Sequence, residues 1–524
     1  MRDLLLGIDI GTTGTKAALF SFEGVLCGVG QKEYGLQHPH PGWAEQNPIE
    51  IWEAVCMAVK MAMKGKSGAH TRIAAVAVSS QGPTMLPLDR RWEPVRPALI
   101  WMDRRAEAEA RRLEKNLGYE WIVEHTGNRP DPFYIAAKIL WFRENEPDLF
   151  KRTRLFVQLN GYISFRLTGV HTLDNSQAAL LQLRNWRDKS WSEEMCTLCG
   201  VEPSLFPPVH FGGYLQGEVT RDAHDQTGIP EGTPVVTGTV DSAAAAIEAG
   251  TVMPGVVSEM TGTSTVLIMP NKTGIVEPAF VAMPHALRDL DLLLGPIAAT
   301  GVCLRWFRDE FAINEIREAE KSITEGSVIE PSVTDPYERI TAEAARSPAG
   351  SGGVVFLPYM MGERSPIWHT QARGVFFGLS LSTRRCNFIR SILEGTVYAL
   401  RHNLEVAKNA GLTVNEIRSI GGGSKSDLWN QIKADVLGVP VLLPRTSVGA
   451  VFGDAVLAGL GINVYRDVRE FVTRVVSIEK EYLPDSHNTD FYSELYRLYR
   501  KIYESLREDF NDAALLFSSR PIDP

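Results

Sequence analysis

Two segments of this chain share one grammar: an apolar strand, a turn of glycine and hydroxyl residues, and a second apolar strand. The first runs from Leu4-Leu5-Leu6 through Gly7-Ile8-Asp9-Ile10-Gly11-Thr12-Thr13-Gly14-Thr15-Lys16 to Ala17-Ala18-Leu19-Phe20. The second begins about 250 residues later, at Gly255, and passes through Met260-Thr261-Gly262-Thr263-Ser264-Thr265 to Ile268. Both patterns predict β-hairpins, not the strand–loop–helix of a Walker loop. Glycine permits positive φ and close backbone approach. The turn N–H groups and threonine hydroxyls can then surround phosphate oxygens. Asp9 beside such a turn makes chemical sense if a divalent cation lies between carboxylate and phosphate. Taken alone, the first segment also reads as a tight hairpin with polar turn residues. The recurrence points to a duplicated chain, two α/β halves that each open on a phosphate-type turn.

The rest of the chain fits that division. Strand-like runs at Ile73–Val78 and Leu155–Gln158 alternate with a charged helical stretch, Arg104–Asn116, which is α/β behaviour. A length of 524 residues exceeds one ordinary core. The boundary falls near residue 250, where Gly238–Gly250 reads as a strand end and an alanine-rich helix. Residues 315–350 are charged and lead into Pro348-Ala349-Gly350-Ser351-Gly352-Gly353, which predicts a helical insertion and a flexible joint. Tyr492, Leu495, Tyr496, Tyr499 and Tyr503 recur at helical spacing, as a packing helix requires.

Composition narrows the function. A net charge of −9 without a basic block argues against nucleic acid or anionic membrane as partner. No run of apolar residues is long enough to span a bilayer, and no signal-peptide pattern opens the sequence. Six cysteines are too few for a disulfide framework, so a reducing cytoplasm is expected. Cys196-Thr197-Leu198-Cys199 has no second pair at zinc spacing and reads as a helical core pair. His38 and His40 lack a third ligand and read as structural.

Two facing phosphate turns would clamp a nucleoside triphosphate, which then needs a purine site and a base. Ile420-Gly421-Gly422-Gly423-Ser424 offers bare backbone for a flat ring, although a plain tight turn explains it as well. Thr237-Gly238-Thr239-Val240-Asp241-Ser242 places a carboxylate after the strand Pro234-Val235-Val236. Asp241 either caps the alanine-rich helix or accepts a proton from an attacking hydroxyl. Phosphoryl transfer needs little beyond positioning, a metal and one such acceptor.

Together with Trp101-Met102-Asp103-Arg104-Arg105, Lys138-Ile139-Leu140-Trp141, Gly362-Glu363-Arg364-Ser365-Pro366 and Glu394-Gly395, these motifs make the chain resemble the FGGY family of carbohydrate kinases from about residue 4 to 465. The resemblance implies an α/β fold of two duplicated ribonuclease-H-like domains, of the actin/hexokinase superfamily, flanking an interdomain cleft. It assigns residues 1–248 to a sugar-binding domain, 249–470 to an ATP-binding domain and 471–524 to a helical tail. The implied activity is ATP- and Mg²⁺-dependent phosphorylation of a terminal hydroxyl of a small carbohydrate, with Asp241 as general base. Asp9 and Asp241 are then expected on the metal. Thr12, Thr13, Thr261, Gly262, Thr263 and Gly301 are expected on the phosphates, and Gly422, Gly423 and Ser424 at the adenosine. Gln81, Gly82, Pro83, Trp101, Asp103, Asp241 and Ser242 are expected at the substrate. Homodimers are common in the family.

The pattern looks nearest the xylulokinase branch, whose substrate is a ketopentose. That branch usually shows Gln-Met-His-Gly where this chain has Gln81-Gly82-Pro83-Thr84, and Asn where it has Ser242. The slim Gly82-Pro83 element predicts a wider pocket at that point. Gluconate, erythritol, ribulose and glycerol stay open as substrates. A nucleotide-switched, actin-like binding protein without sugar kinase activity is the alternative from another class.

Overall fold

The computed structural model describes residues 2–65, 68–272, 274–312, 335–445 and 448–518. Two compact units form from interleaved stretches of chain. The first takes Met1–Met253, Pro270–Leu293 and Thr446–Ser477; the second takes Pro254–Met269, Leu294–Arg445 and Ile478–Pro524.

In the first unit, β1 (Leu4–Ile10) and β2 (Gly14–Ser21) form the expected antiparallel hairpin, with β3 (Leu26–Glu33) beyond β2. On its other side β1 runs parallel to β4 (Ile73–Ser80), in a register that sets Asp9 opposite Ser79. With β5 (Leu215–Glu218) and β6 (Pro234–Val236) the sheet order is β5-β6-β4-β1-β2-β3. Helix α1 (Pro48–Met63) starts where Asn47 accepts the Ile49 N–H and Pro48 fills the first turn. Its buried face of Ile51, Trp52, Val55, Ala58 and Val59 joins the core with Ile8, Ile10, Val76 and Val78. Helix α2 (Asp241–Glu248) and helix α3 (Val451–Gly461) also belong to this unit. Almost every residue of α3 is buried, including the carboxylate of Asp454 at 0% exposure.

The second unit repeats the plan. Strands β7 (Gly255–Thr261) and β8 (Thr265–Lys272) pair antiparallel, β7 runs parallel to β9 (Val414–Ile420), and β10 (Val441–Pro444) and β11 (Ile478–Tyr482) follow. The helix Ser486–Ser518 buries Tyr492, Tyr496, Tyr499 and Tyr503, as the spacing requires.

Local expectations are met with instructive shifts. The charged helix begins at Glu107, not Arg104, because Arg104 and Arg105 are drawn to Asp131 and Asp103. Cys196 and Cys199 are buried on the helix Glu193–Cys199. The expected flexible joint is a correction: Gly350 N–H and Ser351 Oγ both donate to buried Glu394, at 3.0 and 2.7 Å, which ties that turn down. Of the charged stretch before it, 335–347 includes the helix Pro336–Ala344, and 315–334 lies outside the described residues. Among the described residues, no helix is long and apolar enough to cross a membrane.

Candidate active site

The hairpin of the first unit carries a connected polar network. Thr12 Oγ1 donates to Gln81 Oε1 at 3.0 Å and accepts from Trp101 Nε1 at 3.2 Å. Gln81 Nε2 donates to Gln46 Oε1 at 2.6 Å, and Gln46 Nε2 returns to the Thr12 carbonyl at 2.6 Å. Thr12, Gln81 and Trp101, expected at phosphate and substrate, are thus brought together. Gln81 is only 1% exposed, so its amide orients its neighbours and presents little surface of its own. Thr13 is exposed at the tip of the turn. Gln46, from a loop read as structural, is part of this network and was missed as a site residue.

Asp9 and Asp241 are partly accessible, and Asp9 Oδ1 accepts from Ser79 Oγ at 3.0 Å. Asp241 opens α2, yet it does not act as a side-chain cap. The cap position is Val240, and the Asp241 Oδ1 accepts the next N–H, from Ser242, at 2.6 Å. Burial, then the charge of Asp9, pushes the Asp241 carboxyl up to about 7. A base poised near neutrality suits proton abstraction from an alcohol. Two carboxylates with partial solvent access are hard oxygen donors. They fit Mg²⁺, which takes one or two protein carboxylates and keeps water and phosphate for the rest.

Asp454 completes this carboxylate group and was not foreseen. Ser79 Oγ lies 2.7 Å from Asp454 Oδ2 as well as 3.0 Å from Asp9 Oδ1. One hydroxyl hydrogen serves one acceptor. The second contact therefore needs a proton on a carboxyl, and the fully buried Asp454 is where ionisation costs most. Burial first, then Asp9, holds the Asp454 carboxyl well above its ordinary range. The signal was available: Asp454 is a lone carboxylate inside the apolar run Val451–Gly461.

Two substrate-side expectations change in detail. Asp103 is 0% exposed and faces inward, accepting the Ala44 N–H at 2.6 Å and pairing with buried Arg105 at 2.8 Å. That guanidinium also lies 3.7 Å over the Trp43 ring, so the Trp101–Arg105 segment is clamped by its own acid–base pair. Pro83 is buried behind Gly82. The room expected beside Gly82 is filled, since a Cβ there would meet the buried Gln177 amide at 2.3 Å. Gln177 donates to Ser80 Oγ and the Gln81 carbonyl, at 3.2 and 3.3 Å, so this glycine serves loop packing. Ser242 follows Asp241 at the start of α2, half-buried.

In the second unit the residues expected at ATP also converge. Gly262 and Thr263 are exposed at the turn. The helix that starts at Gly301 is joined to it, with the Val302 N–H donating to the Thr263 carbonyl at 3.0 Å. Gly421 has φ +84°, and a Cβ there would meet the Thr261 carbonyl at 2.6 Å, so the triple-glycine loop lies against the hairpin. Gly422 is exposed, Ser424 half-buried and Gly423 buried. Thr261 is 1% exposed, with its hydroxyl turned inward onto Glu259 and Thr265, so any phosphate contact there falls to backbone. Arg305, exposed on the Gly301 helix, donates to Thr263 Oγ1 at 2.9 Å and was missed. Within the first unit, Lys16 donates to the Val448 carbonyl at 2.9 Å. Among the described residues, no group of three or more His, Cys, Asp or Glu side chains is placed to hold a metal, the His38 loop included.

A sheet plan repeated in two halves, each headed by a phosphate-type turn, is an architecture for ATP-dependent sugar phosphotransferases, and comparison with known proteins agrees on that class. Residues 4–248 match the FGGY family of carbohydrate kinases, N-terminal domain, and residues 258–462 match its C-terminal domain; the chain belongs to that family. The xylulose kinase of Bacillus subtilis (strain 168) is 29% identical over 98% of this chain and 99% of its own length. The gluconokinase of the same strain is 29% identical over 98% of each. A crystal structure of xylulose kinase from Rhodospirillum rubrum is 30% identical and superposes with a TM-score of 0.88 over 97% of this chain and 100% of the other.

Proposed function

We propose that the protein phosphorylates a terminal hydroxyl of a ketopentose such as xylulose, with ATP as donor and Asp241 as general base. The first unit would bind the sugar and the second the nucleotide. The supporting observation is the Asp241 carboxylate, partly accessible at the head of α2 and raised to about 7 by burial and Asp9. The sugar hydroxyl oxygen attacks the γ-phosphorus of ATP, a new O–P bond forms, and the bond to the β–γ bridging oxygen breaks to release ADP. Asp241 takes the hydroxyl proton as that attack develops. Asp9 and Asp241 would hold Mg²⁺, which supplies charge neutralisation on the phosphates. Trp101, whose indole N–H is held by Thr12, would pack against the sugar.

A neutral sugar is favoured over an aldonate. The side chains expected at the substrate, Gln81, Trp101, Asp241 and Ser242, include no cation to receive a carboxylate. The test is sugar-dependent ADP release across ketoses, polyols and aldonates. Highest kcat/KM on a ketopentose is the expected result. Highest kcat/KM on gluconate overturns the substrate assignment and keeps the kinase; ATP turnover indifferent to every sugar overturns the proposal.

A further inference from the structure

The mechanism leaves unused the most enclosed charges of the second unit. Glu259, on β7, and Lys433, on the helix Asp427–Leu437, are both 0% exposed and meet at 2.8 Å. A buried ion pair recovers its desolvation cost only when its other hydrogen-bonding positions are filled. Here they are. Lys433 Nζ also donates to Ser419 Oγ at 2.8 Å, Ser419 Oγ donates to Glu259 Oε2 at 2.7 Å, and Thr261 Oγ1 donates to Glu259 Oε1. From Thr261 the hydroxyl chain continues to Thr265 at 2.6 Å and from Thr265 to Thr300 at 2.8 Å.

The direction of that chain follows from the carboxylate, which only accepts. Thr261 donates to Glu259, Thr265 donates to Thr261, and Thr300 donates to Thr265. Three members of the network lead into backbone read above as nucleotide-binding. Thr261 opens the Thr261–Ser264 turn, Thr300 precedes Gly301, and Ser419 lies opposite Glu259 in the parallel β7–β9 register, two residues before Gly421.

We propose that the Glu259–Lys433 pair is a positioning device for ATP. It sets the spacing of the phosphate turn, the Gly301 helix start and the Gly421–Ser424 loop while touching no ligand itself. The inference rests on the reading of those three elements as the ATP site. An apolar pair of similar volume would fill the same space, but it has no directional bond with which to fix Thr261, Ser419 and, through Thr265, Thr300.

The test uses the full chain and the double variant E259L/K433M, which removes both charges together so that neither is left buried alone. Calorimetric titration with ATP, thermal unfolding and the KM of the sugar are measured on parent and variant. The expected result is a folded variant whose ATP dissociation constant and ATP KM rise at least about tenfold, the scale on which small misplacements act, with the sugar KM unchanged. A folded variant with the parent's ATP affinity overturns the inference and reduces the pair to core packing. Should E259L/K433M fail to fold, T265V carries the test, because it cuts the hydroxyl chain and keeps the shape. Weakened ATP binding at unchanged Tm supports the inference, and unchanged affinity overturns it. A parent that binds no ATP overturns the reading of the loops, and the inference with it.

Discussion

At the scale of single residues, the proposed chemistry turns on carboxylates that sequence order keeps far apart. Asp241→Ala is expected to lower kcat by roughly 10²–10⁴-fold, the range for loss of a general base, with the ATP dissociation constant nearly unchanged; steady-state kinetics and calorimetry check both. With its carboxyl near 7, the parent loses kcat/KM as pH falls below that value, because the base is then protonated. Asp454 gives a prediction about stability. In the unfolded chain it ionises near 3.9, whereas the fold holds it protonated well above that. Between those pH values the native state binds the extra proton, so stability falls as pH rises. Asp454→Asn removes that slope. The Tm of the Asn variant relative to the parent should therefore increase from pH 5 to pH 8; a difference independent of pH would show that Asp454 is ionised in the fold.

Among elements, the long C-terminal helix and the glycine loop show how packing serves the second unit. Tyr499 is 0% exposed on the helix Ser486–Ser518. Tyr499→Ala should cost about 3–5 kcal/mol, as loss of a buried aromatic does, read as a lower urea midpoint. The helix was legible from the spacing of its tyrosines, because periodicity reports which face is buried. The hairpins were legible for the same reason: apolar runs interrupted by glycine leave few other folds. Partners across the fold were not legible. Nothing near Gly82 in sequence announces Gln177, and nothing near Asp103 says that its carboxylate is spent on Ala44 and Arg105 instead of on a ligand. The joint at Gly350–Gly353 looked loose by composition, and only Glu394, from the helix Arg385–Asn409, reveals that it is tied.

Over the whole molecule, duplication did not preserve chemistry in both halves. Ile10 pairs with Thr15 and Thr261 with Thr265 at the mouths of the two hairpins. One residue earlier the first half carries Asp9 and the second carries Met260, so the carboxylate proposed for the metal has no counterpart at that position of the second hairpin. Ligand-linked stability should report this division of labour. ATP at 100 times its Kd is expected to stabilise the protein by about 2.7 kcal/mol, seen as a rise in Tm. Gly421→Ala forces a Cβ into the Thr261 carbonyl and strains a positive φ. It should abolish the ATP-dependent rise and spare the rise produced by the sugar. Loss of both rises would mean that Gly421 supports the fold generally.

By itself, the sequence determined the α/β class, the duplication and the kinase family, and it singled out Asp9 and Asp241 as candidates, because strand periodicity, glycine turns and ordered motifs are local and survive as linear patterns. Tertiary structure alone decided which polar groups are spent and which are free. It turned Thr261 and Asp103 inward, filled the space beside Gly82, and brought Asp454 to Ser79 from 375 residues away. It also enclosed Glu259 with Lys433. Those outcomes depend on burial and on hydrogen-bond partners supplied by distant segments, and no local pattern of residues carries that information.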